Sequence, residues 1–157
     1  MKVLYVDQFA KTAGRDSLAQ CECVSKYDDM DVTVYLSDNT EIPDNKKFAS
    51  NIQLGFHGAY EGSAINKATN YIKALVELRK YIKKEKFDII HLQWFSLPWI
   101  EWLYVYSIKK YGKIVITVHD VIPFNNRPFE MKCLNMIYKC ADRLLLHTKS
   151  SKEEFEA

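Results

Sequence analysis

Residues 113–118 have the sequence KIVITV, and this run ends abruptly in the polar pair His119-Asp120. An apolar run rich in β-branched residues, without alternation, is typical of a parallel strand that is covered on both faces. Similar runs predict five further strands, at 2–6 (KVLYV), 31–36 (DVTVYL), 52–57 (IQLGFH), 87–94 (FDIIHLQW) and 143–147 (RLLLH).

Segments with helical periodicity separate these strands. They lie at 15–27, 65–86, 98–110 and 129–140, and capping-box spacings that begin at Ser150 and Ser151 predict a fifth helix. Strands that alternate with helices form βαβ units. The predicted fold is therefore α/β, a Rossmann-like doubly wound parallel sheet of about six strands with helices on both faces. Residues 1–157 contain no internal repeat or linker and are expected to form one domain.

Two of the predicted helices have unusual surfaces. In the helix at 65–86, apolar residues at 65, 68, 72, 75, 78 and 82 predict one buried face, opposite Lys73, Lys80 and Lys84. That basic face is solvated in the simplest interpretation, and it binds acidic lipid or a polyanion in the alternative. The segment 99–108 is apolar almost all round, which indicates burial beneath other helices or contact with a second domain, a partner or a membrane.

The composition excludes several classes of protein. The chain has 157 residues, is 48% hydrophobic and 13% aromatic, and carries a net charge of +2. Such a chain can bury a core, so disorder is excluded, and the small net charge argues against a nucleic-acid partner. Residues 89–108 lack Lys and Arg, but Pro98 and Glu101 favour a strand, a turn and a helix over a membrane span.

The four cysteines do not have the spacing of a zinc site or of a disulfide scaffold. They are Cys21, Cys23, Cys133 and Cys140. Reduced thiols and a cytoplasmic location are expected. A peripheral position at the inner face of a membrane is the variant of this location that stays open.

All four histidines lie at or near the carboxyl ends of predicted strands. They are His57, His91, His119 and His147. In open α/β sheets ligands bind outside these ends, so the pattern predicts a polar ligand crevice. Gln93 and Trp94 follow His91, and Asp120 follows His119.

Each of these residues also has a purely structural interpretation. His57 and His147 could hydrogen-bond a loop backbone, and His91 could be a satisfied core histidine. For His119 and Asp120 we favour ligand contact, because an imidazole and a carboxylate can both bind sugar hydroxyls. A metal site is not expected, and the G-x-S-x-G, G-x-G-x-x-G and P-loop motifs are absent. Gly14 offers a single glycine near a helix start, where backbone N–H groups can approach an anion.

Three stretches resemble the amino-terminal domain of GT-B-fold glycosyltransferases, particularly family 4. They are FDIIHLQW at 87–94, IVITVHDVIP at 114–123 and ADRLLLHTKSSK at 141–152. The loop after the first strand differs from the family pattern, since it has Ala13-Gly14 where a Gly-Gly pair is usual. The resemblance implies that His119 and Asp120 are catalytic. It also places Gly14 near the diphosphate. Together with the strand-end positions, this gives an expected substrate-binding set of Gly14, His57, His91, Gln93, Trp94, His147 and Lys149.

What the resemblance implies about activity is a retaining, metal-independent transfer of a sugar from a nucleotide-sugar donor to a glycan or lipid-linked acceptor. Residues 1–157 would be the acceptor-binding, N-terminal half of a two-domain enzyme. The C-terminal domain that binds the nucleotide sugar is absent from this sequence, so the chain alone is expected to be inactive. No cofactor is expected, since the nucleotide sugar is a substrate.

Two alternatives remain open. The chain could be a naturally short, non-catalytic subunit that pairs with a separate donor-binding subunit at the membrane surface. It could also be a stand-alone flavodoxin-like binding domain, although that interpretation does not explain the four strand-end histidines.

Overall fold

The computed structural model describes residues 1–9, 13–42, 51–122 and 127–156, and it contains one six-stranded sheet. The strands are β1 (Lys2–Asp7), β2 (Asp31–Ser37), β3 (Asn51–Gly55), β4 (Ile89–Leu92), β5 (Lys113–Val118) and β6 (Arg143–Leu146). Every pair is parallel, in the order β3-β2-β1-β4-β5-β6. The chain therefore starts in the middle of the sheet and winds outward in both directions.

Helices connect most of these strands. They are α1 (Ala13–Val24), α2 (Ala64–Glu85), α3 (Pro98–Ile108), α4 (Glu130–Tyr138) and α5 (Lys149–Glu156). One core joins α2, α3 and α4 to one face of the sheet. A second core joins α1 to the other face, through Leu18 and Cys21. Helices thus lie on both faces, and the predicted Rossmann-like fold is confirmed.

How deeply a strand is buried depends on its position in the sheet. The central strand β1 is buried from Val3 to Asp7, whereas most residues of the edge strands β3 and β6 are exposed or half-buried. In β1, Leu4 and Val6 belong to the first core, and Val3 and Tyr5 belong to the second. This two-sided burial explains why the central strands are continuous apolar runs.

The buried face of α2 differs from the predicted stripe. Its buried residues are Tyr71, Ala74, Leu75, Leu78 and Ile82. Ile65 and Ile72 were expected inside, but they are 78% and 41% exposed. The first two turns of α2 contribute no buried residue, so periodicity alone placed the stripe too early. Lys73, Lys80 and Lys84 are exposed, as predicted.

The start of α5 also corrects the prediction. Thr148, rather than Ser150 or Ser151, caps this helix: its Oγ1 accepts the Ser151 backbone N–H at 3.0 Å. The Ser151 hydroxyl lies 2.9 Å from the same oxygen. The helix begins earlier than expected because β6 ends at Leu146 and leaves Thr148 in the capping position. Within the described ranges, no helix is both long enough and apolar enough to cross a bilayer.

A close approach of two chain segments requires glycine at position 112, directly before β5. A Cβ there would lie 2.7 Å from the carbonyl oxygen of Phe87 and 3.3 Å from Ile90 Cδ1. We expect Gly112→Ala to lower the free energy of unfolding by about 1–3 kcal/mol, because the backbone before β4 must move. Urea denaturation checks this, with the exposed Lys110→Ala as control. An unchanged midpoint for Gly112→Ala would contradict it.

Candidate functional site

Polar and aromatic side chains collect at the carboxyl edge of three neighbouring strands. Gln93 and Trp94 follow β4, His119 follows β5, and His147 follows β6. Because these strands are parallel neighbours, their ends meet at one side of the sheet. His57 is different, since it follows the opposite edge strand β3, which is four strand positions or about 19 Å from β5.

The centre of the site is a stacked aromatic pair. The rings of Trp94 and His119 lie 3.6 Å apart between centroids and are tilted by only 6°. Phe9, after β1, packs edge-on against Trp94, with the two ring centroids 5.0 Å apart. The stack fixes the plane of the imidazole and therefore the directions in which its two nitrogens point.

A chain of hydrogen bonds runs through this imidazole from the core to the surface. His91 Nε2 lies 2.8 Å from Thr117 Oγ1 and 3.3 Å from Gln93 Nε2. On the other side of the amide, Gln93 Oε1 lies 3.1 Å from His119 Nε2. The chain ends at the exposed His147, whose Nε2 lies 3.1 Å from His119 Nδ1. Both nitrogens of His119 therefore have protein partners.

The inner end of this chain is kept uncharged. Burial, with a smaller contribution from the nearby His119, lowers the pKa of His91 from 6.5 to about 4. A neutral imidazole has one donor and one acceptor nitrogen, so His91 has a defined tautomer at neutral pH. The structure thus combines the two interpretations of the sequence: His91 is a core histidine, and it is also connected to the site.

The stacked pair forms a wall between two clefts. The α4 cleft has a volume of about 210 Å³ and is lined by Phe9, Phe95, Thr117, Asp120, Arg127, Glu130, Leu134 and Tyr138. The α1 cleft has about 370 Å³ and is lined by Asp7, Ser17, Ala19, Gln20 and His147. Gln93, Trp94 and His119 line both clefts.

The α4 cleft has little net charge. Arg127 Nε donates to Glu130 Oε1 at 3.1 Å, and the Arg127 Nη2 group donates to the same oxygen. Hydrogen bonds from Arg127 hold the pKa of Glu130 below its usual range, so the carboxylate stays ionised beside the guanidinium. Arg127 also lies over the Trp99 ring, 4.8 Å from its centroid. The pair orders one wall of the cleft without making it strongly positive.

A buried carboxylate supports the loop between β4 and α3. Glu101 accepts the backbone N–H of Leu97 at 2.7 Å and that of Ser96 at 3.3 Å. The Tyr71 hydroxyl also donates to it, and Gln8 Nε2 lies 3.4 Å from Oε1. Gln8 in turn donates to the carbonyl of Trp94. Glu101 therefore connects the loop after β1 to the residue that stacks on His119.

Comparison with known proteins decides the family. A family model described as glycosyl transferase 4-like matches residues 4–148, most of the chain. The chain belongs to the glycosyl transferase 4-like family. This result confirms the resemblance found in the three sequence stretches.

A solved structure shares the fold of this glycosyl transferase 4-like domain. UDP-GlcNAc 2-epimerase from Methanocaldococcus jannaschii superposes with a TM-score of 0.62 at 14% sequence identity. The match covers 99% of this chain and 42% of the epimerase, so the domain spans less than half of that chain's length. At this identity the likeness shows the fold alone. No curated protein matches the domain.

Two acidic residues of the family-like stretches lie at the amino ends of the strands, on the side of the sheet opposite the histidines. Asp88 Oδ2 accepts the Lys2 backbone N–H at 2.7 Å, where β1 begins. Asp142 Oδ2 accepts the Ile114 backbone N–H at 2.9 Å in β5. Each carboxylate therefore fixes the start of a neighbouring strand, and both are far from the histidines. In this glycosyl transferase 4-like domain these aspartates are structural.

The remaining predicted site residues of the domain are dispersed. Gly14 lies in the first turn of α1, and Lys149 is exposed at the first residue of α5. Asp120 is exposed in the rim of the α4 cleft. His57 is exposed and its Nδ1 lies 3.0 Å from Asp38 Oδ2. Among the described residues, no three His, Cys, Asp or Glu side chains converge closely enough to hold a metal ion.

Sequence reasoning missed several residues that the glycosyl transferase 4-like domain uses to build its site. They are Ser17, Gln20, Glu101, Arg127 and Glu130. Glu101 and Glu130 each stand in the first turn of a helix, where a carboxylate can accept orphan backbone N–H groups. That position was the available signal. Ser17 is buried and Gln20 is exposed in α1, and neither belongs to a sequence motif.

Proposed function

We propose that the full-length protein is a retaining glycosyltransferase, and that this chain is its N-terminal, acceptor-binding domain. It would transfer a sugar from a nucleotide-sugar donor to a glycan or lipid-linked acceptor, with no metal cofactor. The observation that carries the proposal is the Trp94–His119 stack, which lines two clefts. These clefts lie at the carboxyl ends of the strands in a glycosyl transferase 4-like domain.

The chemistry of the clefts suits a sugar. Aromatic rings of Phe9, Trp94 and Phe95 offer apolar surface, and His119 and Asp120 add hydrogen-bonding groups beside it. A few polar groups placed on an apolar wall are the usual form of a small-molecule site. In this proposal His119 and Asp120 contact the reacting sugar, Trp94 holds the imidazole in place, and His147 lies at the entrance of the α1 cleft.

The charge of the clefts supports a second domain. A departing nucleoside diphosphate needs preorganised positive charge. Among the described residues that line the two clefts, the only Lys or Arg is Arg127, and Glu130 already binds it. We therefore propose that a C-terminal domain binds the nucleotide sugar and stabilises the leaving group, and that the 157-residue chain alone does not turn over.

The test is donor turnover by the full-length protein. It is incubated with UDP-, GDP- and ADP-sugars, with and without membrane and glycan extracts, and release of nucleoside diphosphate is measured. We expect one donor to be consumed in the presence of EDTA, with the anomeric configuration retained in the product. The isolated 157-residue chain is the control and should release none. Failure of the full-length protein to consume any donor would refute the proposal.

A second candidate function rests on the outer face of α3. Ile100, Leu103 and Tyr106 are exposed there, whereas Glu101, Val105 and Ile108 are buried. The exposed basic residues of α2 would add attraction to anionic lipid. This face suits a subunit that docks on a membrane beside a donor-binding partner. Sedimentation with anionic vesicles, weakened by salt, would favour it, and equal indifference to anionic and neutral vesicles would count against it.

A further inference from the structure

The side chain of Gln93 bridges two histidines with the two different ends of one amide. Its Oε1 lies 3.1 Å from His119 Nε2, and its Nε2 lies 3.3 Å from His91 Nε2. The amide is 2% exposed, so water does not compete for these contacts. Because one end accepts and the other donates, the two imidazoles must face it with Nε2 in opposite protonation states: an N–H from His119 and a lone pair from His91.

The direction of the amide follows from a third neighbour, Tyr5. The Tyr5 hydroxyl gives its only proton to Gln20 Oε1, at 2.9 Å. The Tyr5 oxygen can then only accept, and Gln93 lies beside it. The NH2 end of Gln93 therefore faces Tyr5 and His91, and its carbonyl oxygen faces His119. Thr117 is compatible with either tautomer of His91, since its hydroxyl, 2.8 Å from His91 Nε2, can donate or accept.

We propose that Gln93 is a positioning residue that holds His119 as the Nε2–H tautomer and His91 as the Nδ1–H tautomer. His119 Nδ1 is then a hydrogen-bond acceptor, which His147 Nε2–H reaches at 3.1 Å. His147 is exposed, so a substrate group can take its place as the donor. Through Gln93, His119 Nδ1 therefore accepts a hydrogen bond from a hydroxyl group and disfavours a phosphate or carbonyl oxygen.

The choice of a sugar hydroxyl as the selected group rests on the proposed function, whereas the tautomers do not. A neutral Nδ1 lone pair attracts a hydroxyl and repels an anionic oxygen. Were the amide reversed, His119 would carry its proton on Nδ1 and the position would select an acceptor instead. The orientation of a single buried amide therefore sets the hydrogen-bonding polarity of the site.

Nitrogen NMR of the full-length protein labelled with 15N-histidine tests the tautomers directly. Long-range proton–nitrogen correlations are recorded at a pH where His91 and His119 are neutral, and His119→Ala and His91→Ala spectra assign the signals. We expect His119 protonated on Nε2 and His91 protonated on Nδ1. The reverse pair of tautomers would overturn the proposal.

Two variants separate positioning from simple packing. In Gln93→Glu both carboxylate oxygens accept, so His119 should keep its Nε2 proton while His91 changes to the Nε2–H form. In Gln93→Leu, Thr117 can either donate to His91 Nε2 or accept from it, so His91 is no longer held in the Nδ1–H form. A His91 tautomer that does not change in Gln93→Glu would overturn the proposal, even if Gln93→Leu folds poorly, because Gln93→Glu is nearly isosteric.

Turnover of the full-length protein tests whether His119 Nδ1 selects a substrate hydroxyl. Gln93→Leu should lower kcat/KM for the sugar donor by about tenfold, and Gln93→Glu should restore most of it. If both variants have wild-type kcat/KM, selection by this nitrogen is refuted. If the wild-type protein consumes no donor but its tautomers are as expected, the proposed function fails and the positioning role of Gln93 stands.

Discussion

Glu101→Ala should lower the free energy of unfolding by about 3 kcal/mol or more, since each buried donor left without an acceptor costs about 1–3 kcal/mol. The variant removes the acceptor of the Leu97 and Ser96 backbone N–H groups and of the Tyr71 hydroxyl. Domains of this size are stable by only about 5–15 kcal/mol, so much of the stability would be lost. Urea denaturation measures the change. Glu77→Ala, an exposed glutamate of α2, is the matched control and should unfold like the wild type.

The contribution of Glu101 to the free energy of unfolding should also depend on pH. Burial raises the pKa of Glu101 from 4.5 to about 7, despite the donors around it. The folded chain then binds more protons than the unfolded chain between these values, so stability from this group is full below pH 4.5 and is lost as the pH rises through 7. The loss amounts to about 3 kcal/mol.

Glu101→Gln isolates this effect, because an amide does not titrate. The unfolding free energy of the wild type should decrease relative to that of Glu101→Gln between pH 5 and pH 8, by about 2–3 kcal/mol. His91, whose pKa is lowered to about 4, loses stability in the opposite direction as the pH falls, but it is present in both proteins and cancels. Parallel pH curves for the two proteins would show that Glu101 does not titrate in this range.

His119→Ala in the full-length protein is expected to reduce sugar transfer by about tenfold or more. The variant removes the imidazole that lines both clefts and leaves the Trp94 ring without the partner that lies 3.6 Å from it. The half-buried side chain lies at the sheet edge rather than in either core, so the far-ultraviolet circular dichroism should be unchanged.

Steady-state turnover with the best donor measures the effect. Tyr27→Ala is the control, because it removes an exposed aromatic ring from the turn after α1, away from both clefts. Turnover at the wild-type level in His119→Ala would remove this residue from the catalytic set. An equal loss in both variants would point to general destabilisation rather than to chemistry.

Most of the fold could be predicted because its signals are local. Runs such as KVLYV and KIVITV are buried on both faces of the sheet, so their composition alone indicates parallel strands. The errors lie where tertiary packing decides. Ile65 and Ile72 continue the period of α2 but extend beyond the core, and Thr148 caps α5 because β6 stops one residue early.

The site could be located from the sequence but not assembled. Strand-end histidines marked the correct edge, and topology then brought His91, His119 and His147 into one chain of hydrogen bonds. No sequence pattern distinguishes these histidines from His57, which follows β3, the outermost strand on the other side of the sheet. The roles of Gln93 and Glu101 depend on partners 26 residues and 30 residues away in the chain, which local spacing does not reveal.

The aspartate contacts at Asp88 and Asp142 divide the domain into a fixed side and a variable side. Each side chain accepts a backbone N–H near the start of a neighbouring strand, so strand alignment is secured at the amino edge. Loops at the carboxyl edge can then change length and composition without disturbing that alignment. An engineer who wishes to alter what this domain recognises can vary the loop after β5 and keep both aspartates, together with the Glu101 contacts that hold the loops after β1 and β4.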